Sequence, residues 1–129
     1  YHVKKGFDNS MRDLCSQVLI AGKKIKEDSK NRFRFLEELY DRVKNNSGIT
    51  EYSKKAKMQL SDISKKDLIE IVRQRNIVFV LAVLDTSKND RKLTEIQKFD
   101  SNIAKFALNE LSKSMRNLDI KFEILQLEK

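Results

Sequence analysis

The stretch Ile77-Val78-Phe79-Val80-Leu81-Ala82-Val83-Leu84 is apolar at every position and rich in β-branched residues. A run of this kind, with no alternating polar face, is the pattern of a strand covered on both sides, and it predicts the centre of a sheet. Downstream, residues 85–92 are polar and read as a loop. Asp85 and Asp90 flank it at a place where α/β proteins often put functional groups, although solvation of the loop is the simpler account of both. Asp100 or Ser101 is then placed to cap a helix to about Asn117, with Ile103, Ala104, Ala107, Leu108, Leu111 and Met115 inward. Ile120, Phe122 and Ile124 alternate with Lys121 and Glu123, which predicts a half-buried strand over about 119–127, nearer an edge. Strand, helix and strand in this order form a right-handed crossover unit with parallel strands.

Upstream of the apolar run, the absence of Pro and the presence of only three Gly favour long helices. Ser10, with Asp13 three residues on, is placed to cap a first helix whose core face is Met11, Leu14, Cys15, Val18, Leu19 and Ile25. Asp28 or Ser29 starts a second helix to about Lys44, with Phe33, Leu36, Leu39, Tyr40 and Val43 inward and a basic edge at Lys30, Arg32 and Arg34. Residues 49–63 are polar and basic, and fit either a short helix or an exposed connection. Ser64 and Asp67 repeat the capping signal before Leu68, Ile69, Ile71 and Val72, in a helix presenting Arg73 and Arg75 near its end. The expected architecture is therefore α+β or α/β: a small mixed sheet with strands near 1–5, 77–84 and 119–127, packed by four or five helices. Residues 1–129 read as one domain.

Composition narrows the function classes. Of the 129 residues, 27 are Lys or Arg and 19 are Asp or Glu, a net charge of +8. Residues 1–75 hold 18 of the basic and 11 of the acidic residues, a balance of +7, whereas residues 76–129 are nearly neutral at +1. Clustered cations suit a polyanion, because each neutralised phosphate releases counterions. Solvated helix faces explain such charge equally well. Lys54, Lys55, Lys57, Lys65 and Lys66 form the densest cluster, and with Lys5 and Arg12 they are the candidate nucleic-acid contacts. Tyr52 beside the cluster is placed to stack on a base, yet phosphate contact without sequence reading is all the pattern supports. The lone Cys15 cannot form an internal disulfide and reads as a small core residue. No zinc-ligand spacing, phosphate-binding glycine loop, Ser-His-Asp set or dinucleotide fingerprint is present in the sequence. No apolar segment approaches a membrane span, and the chain reads as soluble and cytoplasmic.

Three stretches carry a resemblance: Tyr1-His2-Val3-Lys4-Lys5, Ser10-Met11-Arg12-Asp13-Leu14-Cys15-Ser16-Gln17, and the terminal strand-helix-strand entered by Phe99-Asp100-Ser101-Asn102-Ile103. They resemble the C-terminal part of sporadically distributed bacterial proteins of unknown function, which look like diverged PD-(D/E)xK restriction-endonuclease-like members of defence-associated gene sets. The resemblance implies that Lys4 is the catalytic lysine, that His2 stands where an acidic residue is usual, and that Gln17 is the polar helix residue facing back to them. It also implies that the metal-binding Asp lies upstream of Tyr1, in the N-terminal part of a longer parent protein that partners this chain. Mg2+ then belongs to the full-length protein and no cofactor to this fragment, which is expected not to cleave DNA alone.

The chemistry behind the motif is that phosphodiester cleavage needs carboxylates to hold a divalent ion and a lysine to orient water and stabilise developing charge. His2 and Lys4, two apart on a strand, share a face and permit a joint role. The alternative is that Lys4 and Lys5 are the polar end of an ordinary strand with His2 packed at its edge, and that Gln17 is structural. Two functions follow: a nuclease-like, nucleic-acid-binding protein, or a non-catalytic interaction domain docking on the missing N-terminal part.

Overall fold

The computed structural model describes residues 1–48, 50–74, 77–89 and 91–128, so Ile49, Arg75 and Asp90 of the expectations above lie outside the described residues. Element order is β1 (His2–Lys5), α1 (Met11–Asp28), α2 (Arg34–Asn45), α3 (Glu51–Ser61), α4 (Lys65–Gln74), β2 (Val78–Leu84), a 3₁₀ helix (Leu93–Lys98), α5 (Asn102–Asn117) and β3 (Lys121–Leu127). The chain divides into two compact units, Tyr1–Lys23 with Ile77–Lys129 and Lys24–Asn76.

The first unit is built on a three-stranded sheet in the order β1-β2-β3, with the apolar run at its centre as its composition demands. Both ladders are parallel, where a mixed sheet was expected, and the fold is α+β. The register sorts the side chains. Leu81 lies between His2 and Ile124, and Val83 between Lys4 and Gln126, whereas Ala82 lies between Val3 and Leu125 on the opposite face. Leu81 and Val83 join the core with Met11, Cys15 and Val18 of α1 and Ala104, Leu108, Leu111 and Met115 of α5. Val80 and Ala82 are buried as well, so the central strand is covered on both faces. Gly22 lets α1 approach α5 closely, since a Cβ there would stand 3.1 Å from the Met115 sulfur. Gly6 adopts φ +84°, a conformation that L side chains rarely take, and its N–H donates to the Leu84 carbonyl as β1 turns away.

The caps explain where the helices begin. Ser101 caps α5 as expected, accepting from the Ala104 N–H. Its hydroxyl also donates to Asn9, which ties the α5 start to the turn before α1. Ser10 behaves differently from the expectation: its N–H and hydroxyl both donate to the Asp8 carboxylate. On α5, Ile103 is exposed rather than inward.

The second unit is helical, and Phe33, Leu36 and Tyr40 form its buried apolar centre. Here the expected boundary moves. Helix α1 continues to Asp28, and α2 starts only at Arg34, because Arg32 and Phe33 reverse the chain at φ 57° and 60°. Asp28 still begins α2 chemically, since its carboxylate accepts the N–H groups of Phe35 at 2.7 Å and Leu36 at 3.0 Å. Leu39, expected inward, is 41% exposed. Residues 51–61 resolve to a helix, capped by Thr50 accepting from Ser53. The Ser64–Asp67 capping box forms in full, with Asp67 N–H donating to the Ser64 hydroxyl and Ser64 donating back to the Asp67 carboxylate. The Tyr40 hydroxyl donates to the Ile63 carbonyl and fixes the turn between α3 and α4 against α2.

Candidate nucleic-acid interface and the lysine strand

Strand β1 presents His2 and Lys4 on one face, as their spacing requires, and that face is the core face. Each is engaged there by its neighbours. The His2 ring stacks on Phe79 with centroids 6.3 Å apart and planes at 17°, and burial lowers its pKa from the ordinary value. The Lys4 stem is covered, and its ammonium escapes at the strand end to the Lys5 carbonyl at 2.7 Å and the Asp8 carboxylate at 3.4 Å. Asp8 is in turn held below the usual carboxylate range, first by the Ser10 hydroxyl and then by the Ser10 N–H.

Gln17 is exposed on α1, outside the buried stripe of Met11, Cys15, Val18 and Gly22. No hydrogen bond among the described residues joins it to His2 or Lys4. Among the described residues Asp8 is the one carboxylate bonded to Lys4, whereas Mg2+ takes several oxygens in octahedral array. Among the described residues no three His, Cys, Asp or Glu side chains group as metal ligands.

The basic cluster lies in the second unit, and its members differ. Lys65 is committed to Asp41 at 2.6 Å, a hydrogen bond that raises the lysine's pKa. Lys55 pairs with Glu51 at 3.0 Å along α3. Lys54, Lys57 and Lys66 are exposed and form no ion pair among the described residues. Helix α3 buries none of its residues, and Tyr52 on it is 88% exposed. In the first unit, Lys5 is exposed, and Arg12 is exposed beside Asp13 at 3.9 Å. Residues 24–76 carry 14 basic and 9 acidic side chains, so this unit holds +5 of the net charge. An exposed helix with unpaired lysines and a free aromatic ring has the means to follow a phosphate backbone.

A third arrangement was not anticipated. Asp85, read above as a solvated loop residue, is buried at the carboxyl end of β2 and pairs with Arg91 through two hydrogen bonds. The Arg91 guanidinium also reaches Asp100 at 3.3 Å and stacks over Phe99 at 4.4 Å. Gln126 of β3 completes the brace, accepting from the Leu93 N–H and donating to the Arg91 carbonyl, each at 2.7 Å. The only trace in sequence is a charged pair six residues apart after an apolar strand, which looks like ordinary loop polarity.

Cys15 is a core residue, and burial pushes its thiol up to about 11. Among the described residues no helix is long and apolar enough to cross a membrane. No family model, curated protein or solved structure matches the chain.

Proposed function

We propose that this chain is a nucleic-acid-binding module of nuclease-like ancestry that holds phosphate backbone through its basic helical unit and does not itself cleave. The observation that carries the reading is α3, with Lys54 and Lys57 in no ion pair among the described residues, Tyr52 exposed and no buried residue, in a unit of net charge +5. The strand-lysine order at His2 and Lys4 supports the nuclease-like ancestry. The hydrogen bonds of Lys4 to the Lys5 carbonyl and to Asp8 are the ground for giving it a structural rather than a catalytic role in this proposal. Binding of this kind is weak, indifferent to sequence and steeply salt-dependent.

Fluorescence anisotropy of labelled duplex and single-stranded DNA, titrated at several salt concentrations, tests it. Replacing Lys54, Lys55 and Lys57 by Glu lowers both affinity and salt slope, whereas Lys113→Glu and Lys121→Glu have the smaller effect. Absence of binding at low salt, or equal effects of the two sets, overturns the reading. Magnesium-dependent nicking of a plasmid that is lost in Lys4→Ala overturns the non-cleaving part alone.

A further inference from the structure

Helix α3 packs on α2, and of its residues only Ser53, Ala56 and Leu60 are half-buried. On its solvent side Tyr52, Lys55 and Met58 follow one another at three-residue spacing and form one strip, with Lys54 one turn from Met58. Tyr52 is 88% and Met58 71% exposed, so two large apolar groups stand in water between cations. The Lys55–Glu51 pair at 3.0 Å joins two exposed side chains and yields to a phosphate at little cost. The other aromatic rings of this helical unit are already covered. Phe33 lies under Arg73 at 5.3 Å, Phe35 under Lys24 at 5.5 Å and Tyr40 under Lys44 at 5.4 Å. Among the described residues Tyr52 has neither a cation over its ring nor a second ring against it, and it is the open π-face of the basic unit.

We propose that α3 takes single-stranded nucleic acid, with one base stacked on the Tyr52 ring, a neighbouring base against Met58, and Lys54 and Lys55 on the phosphates. The inference rests on the reading of α3 as the phosphate-holding helix and names its substrate class. Bases in a duplex are stacked on one another and offer no free face, whereas those of a single strand can be splayed onto a side chain. Every base has such a face, so the contact is indifferent to sequence. The interleaving of apolar groups with cations matches a strand, in which bases and phosphates alternate. An anionic membrane instead takes a helix whose apolar and basic faces are separate.

Fluorescence anisotropy with three labelled probes of equal length tests it: oligothymidine, the same strand carrying abasic sites, and a duplex. Tyr52→Ala is expected to weaken oligothymidine binding at least about fivefold. The salt slope stays unchanged, because stacking releases no counterion. Tyr52→Phe retains the affinity, and Met58→Ala lowers it by a smaller factor. Binding of the abasic strand and of the duplex does not respond to Tyr52→Ala. Both side chains are exposed, so the thermal melt is that of the wild type. Tyr1→Ala, which removes a ring of 89% exposure outside α3, has no effect. No binding of any probe at low salt overturns both this inference and the reading it rests on. An oligothymidine affinity indifferent to Tyr52→Ala, weakened equally by Tyr1→Ala, or lost in parallel with that of the duplex overturns the single-strand assignment alone. Tighter binding to phosphatidylserine vesicles than to oligothymidine, lost in the same variants, overturns it in favour of a membrane surface.

Discussion

The guanidinium of Arg91 closes a bidentate pair on the buried carboxylate of Asp85, with Nε 3.1 Å from Oδ2 and Nη2 2.9 Å from Oδ1. This pair sits where the central strand ends, and through Gln126 it braces the following segment against β3. Removing Arg91 takes this cation away from the buried Asp85 carboxylate. Arg91→Ala is therefore expected to cost about 3 kcal/mol in urea denaturation, because the buried Asp85 carboxylate loses its bidentate cation. Arg91→Lys recovers only part of this, since an ammonium cannot supply the planar fork. A loss below about 0.5 kcal/mol would mean that Asp85 is solvated as a loop residue.

Asp28→Ala removes the acceptor for two N–H groups at the start of α2. A loss of about 1–2 kcal/mol is expected, the usual range for a helix cap, together with lower helicity by circular dichroism. Asp28→Asn retains an acceptor oxygen and falls between the two. If Asp28→Ala matches the wild type in both measurements, the cap is not what holds the turn at Arg32 and Phe33.

Cys15 is expected to resist a thiol reagent at pH 8 in the folded protein and to react on unfolding. Burial raises the thiol's pKa to about 11, so the native group stays protonated where the unfolded one, near 8.5, begins to ionise. Its contribution to stability is complete below about pH 8.5 and declines as pH rises towards 11. Rapid labelling under native conditions at pH 8 would show the thiol to be accessible.

Val80→Asp is expected to abolish the cooperative melt, because an unpaired carboxylate in a strand buried on both faces costs several kcal/mol, comparable with the stability of a domain. An unchanged melt would remove β2 from the centre of the sheet.

Asp41→Asn is expected to strengthen nucleic-acid binding, because it releases Lys65 from its 2.6 Å partner. The salt slope should steepen by roughly one phosphate, about 0.9 in the logarithmic plot. Since Lys65 and Asp41 are both partly exposed, stability changes little. An unaltered slope would place Lys65 outside the contact surface.

How much could be read in advance follows from the range of each interaction. The continuous apolar run required a strand covered on both faces, and β2 is that strand. Ser64 and Asp67, three residues apart, close their capping box, and Ser101 caps α5, because such bonds need only local geometry. The pairing of His2 with Lys4 on one face followed from the two-residue period of a strand.

Other features depend on neighbours distant in sequence. The parallel sense of β2 and β3 was read from the strand-helix-strand order, but that of β1 beside β2 depends on which way the chain re-enters the sheet, which no local pattern encodes. Asp28 was recognisable as a cap, but its reach across the left-handed turn to Phe35 was not. Lys54 and Lys65 look equivalent in sequence, yet only the packing of α4 beside α2 gives Lys65 an acidic partner. Asp85 was legible as a loop charge, and the fold alone buries it and brings Arg91, Phe99 and Gln126 together beside it. Periodicity and composition thus determined the elements and their apolar faces, because solvent exclusion acts on each residue where it stands. Tertiary structure decided which charges are neutralised and which stay available, because an ion pair exists only once two distant side chains arrive within a few ångströms of each other.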